Sequence, residues 1–290
     1  MSDGKERTDA LERSDQHAHS GGNPMTRRST LTPARPLLVG AVVAEAVKLW
    51  TLLSHRVLAA GALLMIAGTG ALLSISLRSR LADPRFAGQP VTAEPMQFMD
   101  SVLWAQIVVA VLAVLATTGE YTSGQARLSL LALPTRSPWL AAKALVLATL
   151  GFLIGAIGAA CGLGLSVLIL AGSDVVYAPR LGESVALALG SGAYLAAIAV
   201  LATGLAAALR HVAGALTAVL GLLVVAPPLV SSIPGIGEAA DYTPTSAGRR
   251  LISDFHSVAQ LDPWTGFGVL ALWAVVALLV AGVLLHLRDA

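Results

Sequence analysis

Six long runs of the chain carry apolar residues at nearly every position, with neither the alternation of a half-buried strand nor the single stripe of a surface helix. They are Val57–Leu77, Ser101–Thr118, Ala144–Ala171, Val185–Leu209, Val212–Val230 and Phe267–Leu287. A helix needs about 20 such residues to cross a bilayer, so each run predicts one spanning helix. The second and fifth are short, and the third is long enough to tilt or break. A long polar tail precedes the first run and no clear small-residue cleavage site follows it, which argues against a secretory signal. The Arg210–His211 link makes spans four and five an antiparallel hairpin. Pro227 and Pro228 are expected to break the fifth span near its end.

The remaining segments are read against these spans. Residues 1–35 are polar with mixed charge, and are expected to form a disordered tail. Met25 could be an alternative start, and His17 and His19 are read as incidental. Residues 36–56 form the next unit and residues 57–290 the six-helix transmembrane domain. At 100° per residue, Val42, Val43, Ala46, Leu49, Trp50 and Leu53 share one face. Glu45, Lys48, Thr51, His55 and Arg56 share the other, as in an amphipathic helix lying in the membrane surface. An extension of the first span is the alternative. The 231–265 connection predicts a short helix over Ser246–Val258 that dips into the outer membrane surface.

Composition sharpens the class. The chain is 56% hydrophobic and 12% charged, against about 25% charged in soluble domains. Ala, Leu, Val and Gly dominate, which suits helices packed through small residues and not a β-barrel. The fold class is therefore an all-α membrane protein with six transmembrane helices. Of the nineteen Lys and Arg residues, an arrangement with the N-terminus inside puts thirteen on inner segments and six on outer ones. Discounting Lys5, Arg7 and Arg13 leaves ten against six, so both termini are expected to be cytoplasmic. The single Cys161 excludes an intramolecular disulfide and is read as a small packing residue. Gly151, Gly155, Gly158 and Gly162 form a small-residue series in span three, read either as a dimer or gating seam or as packing within one subunit.

No span centre carries Asp, Glu, Lys or Arg, where ion-coupled pumps usually keep them. The chain has no His-Glu metal motif, no Gly-x-Ser-x-Gly elbow and no Gly-x-x-x-x-Gly-Lys phosphate loop. It is therefore not read as an enzyme, and any energy must come from another subunit. Chemistry instead points to the inner connection 119–143. Glu120, Gly124 and Arg127 fall along one helical side there, and Pro134 stops the helix. Trp139 and Lys143 are expected to anchor span three at the interface. Such a charged helix between two spans is a lever for a cytoplasmic partner; a solvated loop is the bland alternative. Gln106, Ser166, Tyr194 and Thr203 are candidates for a substrate path, or for bonds to neighbouring helices.

Four segments in order resemble the permease subunit of bacterial ATP-binding-cassette exporters of the ABC-2 type, over residues 37–290. They are Glu45-Ala-Val-Lys-Leu-Trp-Thr-Leu, Gly119-Glu-Tyr-Thr-Ser-Gly-Gln-Ala-Arg, Tyr242-Thr-Pro-Thr-Ser-Ala-Gly, and Pro263-Trp-Thr-Gly-Phe with Trp273 and Arg288-Asp-Ala. Gln125 stands where many relatives have Thr. The resemblance implies a coupling helix in which Glu120, Tyr121, Gly124 and Arg127 meet the ATPase, and a surface helix carrying Glu45 and Lys48. It implies two copies of an ATPase subunit that hold ATP and Mg, no cofactor on this chain, and a second permease copy or homologue. It also implies residence in the bacterial plasma membrane among lipid, export of a hydrophobic or amphipathic cargo, and no nucleic-acid partner. A non-transporting scaffold or immunity-type protein is the competing class.

Overall fold

The computed structural model describes residues 37–81, 83, 85, 91–122, 137–253 and 261–287. The tail 1–35, with Met25, His17 and His19, lies outside the described residues. So do Gly124, Arg127 and Pro134. Among the described residues there is no strand, only an isolated parallel bridge between Thr92 and Val176.

The helices are α1 (Leu37–Thr51), α2 (Leu53–Leu81), α3 (Ser101–Thr122), α4 (Ser137–Leu170), α5 (Leu181–Leu209), α6 (Val212–Leu220), α7 (Ala226–Ser231), α8 (Pro244–Arg249) and α9 (Pro263–Leu287). Short 3₁₀ turns cover Pro95–Asp100 and Gly237–Tyr242. Six helical stretches are long and apolar enough to span a membrane, the fifth being α6–α7 with the turn between them. All six predicted runs are therefore helical. Most are longer than the charge-free runs, because helix geometry continues through the flanking polar residues. Only helices satisfy every backbone group internally in hydrocarbon, and the sequence offers little else.

The spans run alternately up and down. One end of the bundle carries α1, the end of α3, the start of α4 and the ends of α5 and α9. The other carries the bridge, the 3₁₀ turns and α8. The most apolar stretch of α5 is 67% buried and that of the fifth span only 17%. α5 is thus the central helix and the fifth span a peripheral one.

Glycines set the closest approaches. Gly151 faces the Leu195 carbonyl, where an added Cβ would come within 2.7 Å, and one on Gly155 would collide with the Ser191 carbonyl. Gly158 and Gly162 lie against Ile66 of α2. All four glycines of the series therefore pack within this chain, against α5 and α2. Cys161 in the same helix is exposed, and so is not the packing residue expected.

Three further expectations are corrected. The fifth span does not stop at its prolines. A π-helical turn, Gly221–Val225, precedes them, and Pro227 and Pro228 occupy the first turn of α7. The wider π turn absorbs the rings, and the helical hydrogen bonds that the missing proline N–H groups cannot make are left to other donors. The helix expected in the 231–265 connection begins at Pro244, not Ser246, and ends at Arg249; residues 254–260 lie outside the described part. The third correction concerns α1, which ends at Thr51, before His55 and Arg56. The backbone N–H groups of Leu52 and Arg56 still donate to Lys48 and Leu52 at 3.3 and 3.4 Å, so the ladder runs on into α2. The charged face of α1 turns towards the protein: Glu45 is buried while Val43, Val47 and Trp50 are exposed. The hairpin link is as expected. Arg210 caps α5 at φ 58°, and the His211 side chain accepts from the Gly214 N–H at 3.3 Å.

Candidate functional site

Four charged side chains close a network at the α1 end. Lys143 Nζ donates to Glu45 Oε2 at 2.5 Å and to Glu120 Oε1 at 2.9 Å. Lys48 Nζ donates to Glu45 Oε1 at 2.7 Å and to Glu120 Oε1 at 3.0 Å. Glu45 and Lys48 are an i,i+3 pair on α1, Glu120 ends α3, and Lys143 lies two turns into α4. Glu45, Glu120 and Lys143 are buried. Burial opposes the charge on Lys48, but the hydrogen bonds and charges of Glu45 and Glu120 outweigh it and hold its pKa above the usual lysine value. Desolvating charges is expensive, and two lysines against two carboxylates offset that cost through mutual hydrogen bonding.

Lys143 is therefore not the interfacial anchor its sequence position suggests, and neither is Trp139, which is 1% exposed. Trp139 sits under the Lys143 ammonium at 5.5 Å and meets Tyr121 edge-on at 6.1 Å. The Arg210 guanidinium stands 5.6 Å from the Tyr121 ring. Cation, ring, ring and cation thus join α4, α3 and the cap of α5. Glu120 and Tyr121 belong to the last turn of α3, not to a loop. Their two sides bind different partners, the carboxylate the ion network and the ring the aromatic chain. Of the four coupling candidates, the structure describes these two; Gly124 and Arg127 lie outside the described residues.

A second polar site lies deeper in the bundle and carries no charge. Tyr194 of α5 donates to Gln106 Oε1 of α3 at 2.5 Å. Thr245 of α8 donates to the Leu223 carbonyl at 2.8 Å, and its oxygen stands 3.4 Å from Gln106 Oε1. Leu223 lies four residues before Pro227, which has no N–H to give it. The Thr245 hydroxyl replaces the missing helical donor, so the proline and the loop helix are matched parts of one device. α8 is held between its neighbours, since a Cβ on Gly248 would strike Leu270 and Tyr194. Beside this node, a cavity of about 1110 Å³ opens between α3, the fifth span and residues 233–249. Trp104, Ile107 and Val224 supply apolar wall, Gln106 and Thr245 polar floor, and Asp100 and Arg249 an ion pair at 3.0 Å on the rim.

Of the path candidates, Gln106 and Tyr194 meet at this node. Ser166 and Thr203 do not join it: each hydroxyl donates to its own helix, at the Gly162 and Ala199 carbonyls. Sequence reading missed Lys143, Trp139 and Arg210 as one cluster, and Thr245 as a partner. A proline inside an apolar run does signal a carbonyl in need of a donor, but not where the donor comes from. No protein-family model and no curated protein matches the chain.

Proposed function

We propose that this chain is the membrane-spanning permease subunit of an ATP-binding-cassette exporter of the ABC-2 type. In this reading both termini are cytoplasmic, the protein sits in a bacterial plasma membrane, and ATP and Mg bind a separate ATPase subunit present in two copies. One observation carries it: the ion network ties together the two roots of the 123–136 segment. Glu120 stands just before that segment and Lys143 just after it, and Glu45 and Lys48 of α1 bond to both. A partner pressing on residues 123–136 would then move α1, α3 and α4 as a unit. Gly124 and Arg127 are the proposed contacts on that partner.

The cargo in this reading is hydrophobic or amphipathic, because the cavity beside Gln106 sets the apolar side chains of Trp104, Ile107 and Val224 against polar and charged ones, Glu238 and Asp241 among them. Its path would run between two copies of the chain, along the sparsely covered fifth span.

The test is reconstitution with the ATPase that co-purifies. Glu120→Ala and Arg127→Ala should each lower cargo-stimulated ATP hydrolysis by about tenfold, within the range for a coupling free energy. Membrane insertion and basal hydrolysis should remain. Unchanged stimulation in both variants would sink the coupling assignment. Failure of any ATPase to co-purify would sink the exporter reading itself.

A further inference from the structure

A lateral groove at the α1 end does not belong to either site above. It has a volume of about 420 Å³ and runs between α1, the first turns of α2, and α4. Val42, Leu49, Ala59, Leu150 and Leu153 are among its walls. Its margins open onto surface that only hydrocarbon suits: Leu53 is 70% exposed, Val57 60% and Leu145 53%. From Leu145 to Leu153 the α4 wall rises about 12 Å, at 1.5 Å per residue. A lipid tail fits that shape, and the groove runs along the membrane-facing side of the bundle.

Polar groups mark one end. His55 lines the groove, is only 7% exposed, and its Nδ1 is buried without a hydrogen-bond partner. Next to it, Arg56 is exposed and its guanidinium lies 5.7 Å from the Trp50 ring. Arginine and tryptophan side by side at the head of an apolar channel are the usual furniture of the headgroup layer. The carboxylates nearest in the network, Glu45 and Glu120, are already engaged by Lys48 and Lys143.

We infer that this groove is a binding site for an anionic phospholipid: the phosphate pairs with the exposed Arg56 beside Trp50, and one acyl chain lies along α4 to Leu153. The lipid would then wedge the α1–α2 elbow against α4, next to the ion network but independent of it. This inference requires a membrane around the bundle and does not depend on the exporter reading.

The full-length protein in detergent micelles, titrated by native mass spectrometry with phosphatidylglycerol or phosphatidylcholine of identical chains, tests it. Both lipids offer the phosphate, but the trimethylammonium of phosphatidylcholine would stand against the Arg56 guanidinium, so the first phosphatidylglycerol should bind about tenfold more tightly than the first phosphatidylcholine. Arg56→Gln should remove that preference. Thr149→Trp, which fills the groove from its exposed α4 side, should weaken the first site for both lipids. Soluble glycerol 3-phosphate should fail to displace the bound lipid. Equal binding of the two lipids by the unaltered protein, or a preference that survives both substitutions, overturns the site. Displacement by glycerol phosphate at lipid concentrations overturns the lipid as its occupant.

Discussion

The α1 end and the middle of the bundle solve one problem in two ways. Each must join helices that are far apart in sequence, in surroundings that exclude water. The α1 end does it with ions: Glu45, Lys48, Glu120 and Lys143 are mutually bonded, and three of the four are buried. The middle does it with neutral groups: Tyr194, Gln106, Thr245 and the Leu223 carbonyl. A buried ion that loses its partner is far more costly than a buried amide or hydroxyl that does. The charged network is therefore hard to open partway and suits transmission of force as a block. The neutral node can exchange one partner for another at small cost and suits a wall beside a cavity.

The sharpest way to break this contrast is Lys143→Met. Two buried carboxylates are then left to share Lys48 alone, with one negative charge in excess, and the expected destabilisation is about 3–5 kcal/mol, the range for an uncompensated buried charge. Thermal unfolding in detergent reads it. The double variant Lys143→Met with Glu120→Gln should lose less than the single one, because the excess charge is gone. Equal or greater loss in the double variant would mean that the network is not electrostatically coupled.

A smaller effect is expected at the neutral node. Thr245→Val leaves the Leu223 carbonyl without a donor, at a cost of about 1–3 kcal/mol. Pro227→Ala supplies a backbone N–H four residues after Leu223, and in the double variant should recover part of that loss. Strictly additive losses would show that Thr245 does not stand in for the missing amide.

The smallest effect is an alkaline one and touches both ends. Lys48 is held above its usual pKa. At the opposite end, burial together with the negative charge of Glu183 pushes the Tyr177 hydroxyl up to about 12. Both groups have raised values in the folded state. Each contribution is therefore fully present below the unfolded pKa, about 10, and is lost as pH rises through the folded value. Unfolding temperature should thus fall progressively above about pH 10. Lys48→Met and Tyr177→Phe should each flatten that fall, and together flatten it further. A slope unaffected by Tyr177→Phe would remove the opposite end from the comparison.

Much of the architecture was legible along the chain. Length and hydropathy were enough to place six helices, since backbone in hydrocarbon has few alternatives. The Arg210–His211 link was readable for the same local reason, as it is too short for anything but a tight turn. Glu45, Lys48 and Glu120 stood out as charges near span ends, and Gln106 and Tyr194 as polar residues within spans. What could not be read was which of these meet. Glu45 and Lys143 are 98 positions apart and Thr245 and Gln106 139 apart, and no local pattern encodes such a pairing. Hydropathy alone turned the charged face of α1 towards water, and tertiary structure turned it inward, because Lys143 and Glu120 offer Glu45 and Lys48 better partners. The same holds for the glycines of α4. Their spacing announced a close contact, but only the packed bundle decided that the contact is with α2 and α5 of the same chain. Local sequence determines where helices form, whereas the partner of each buried polar group depends on which helices the fold sets side by side.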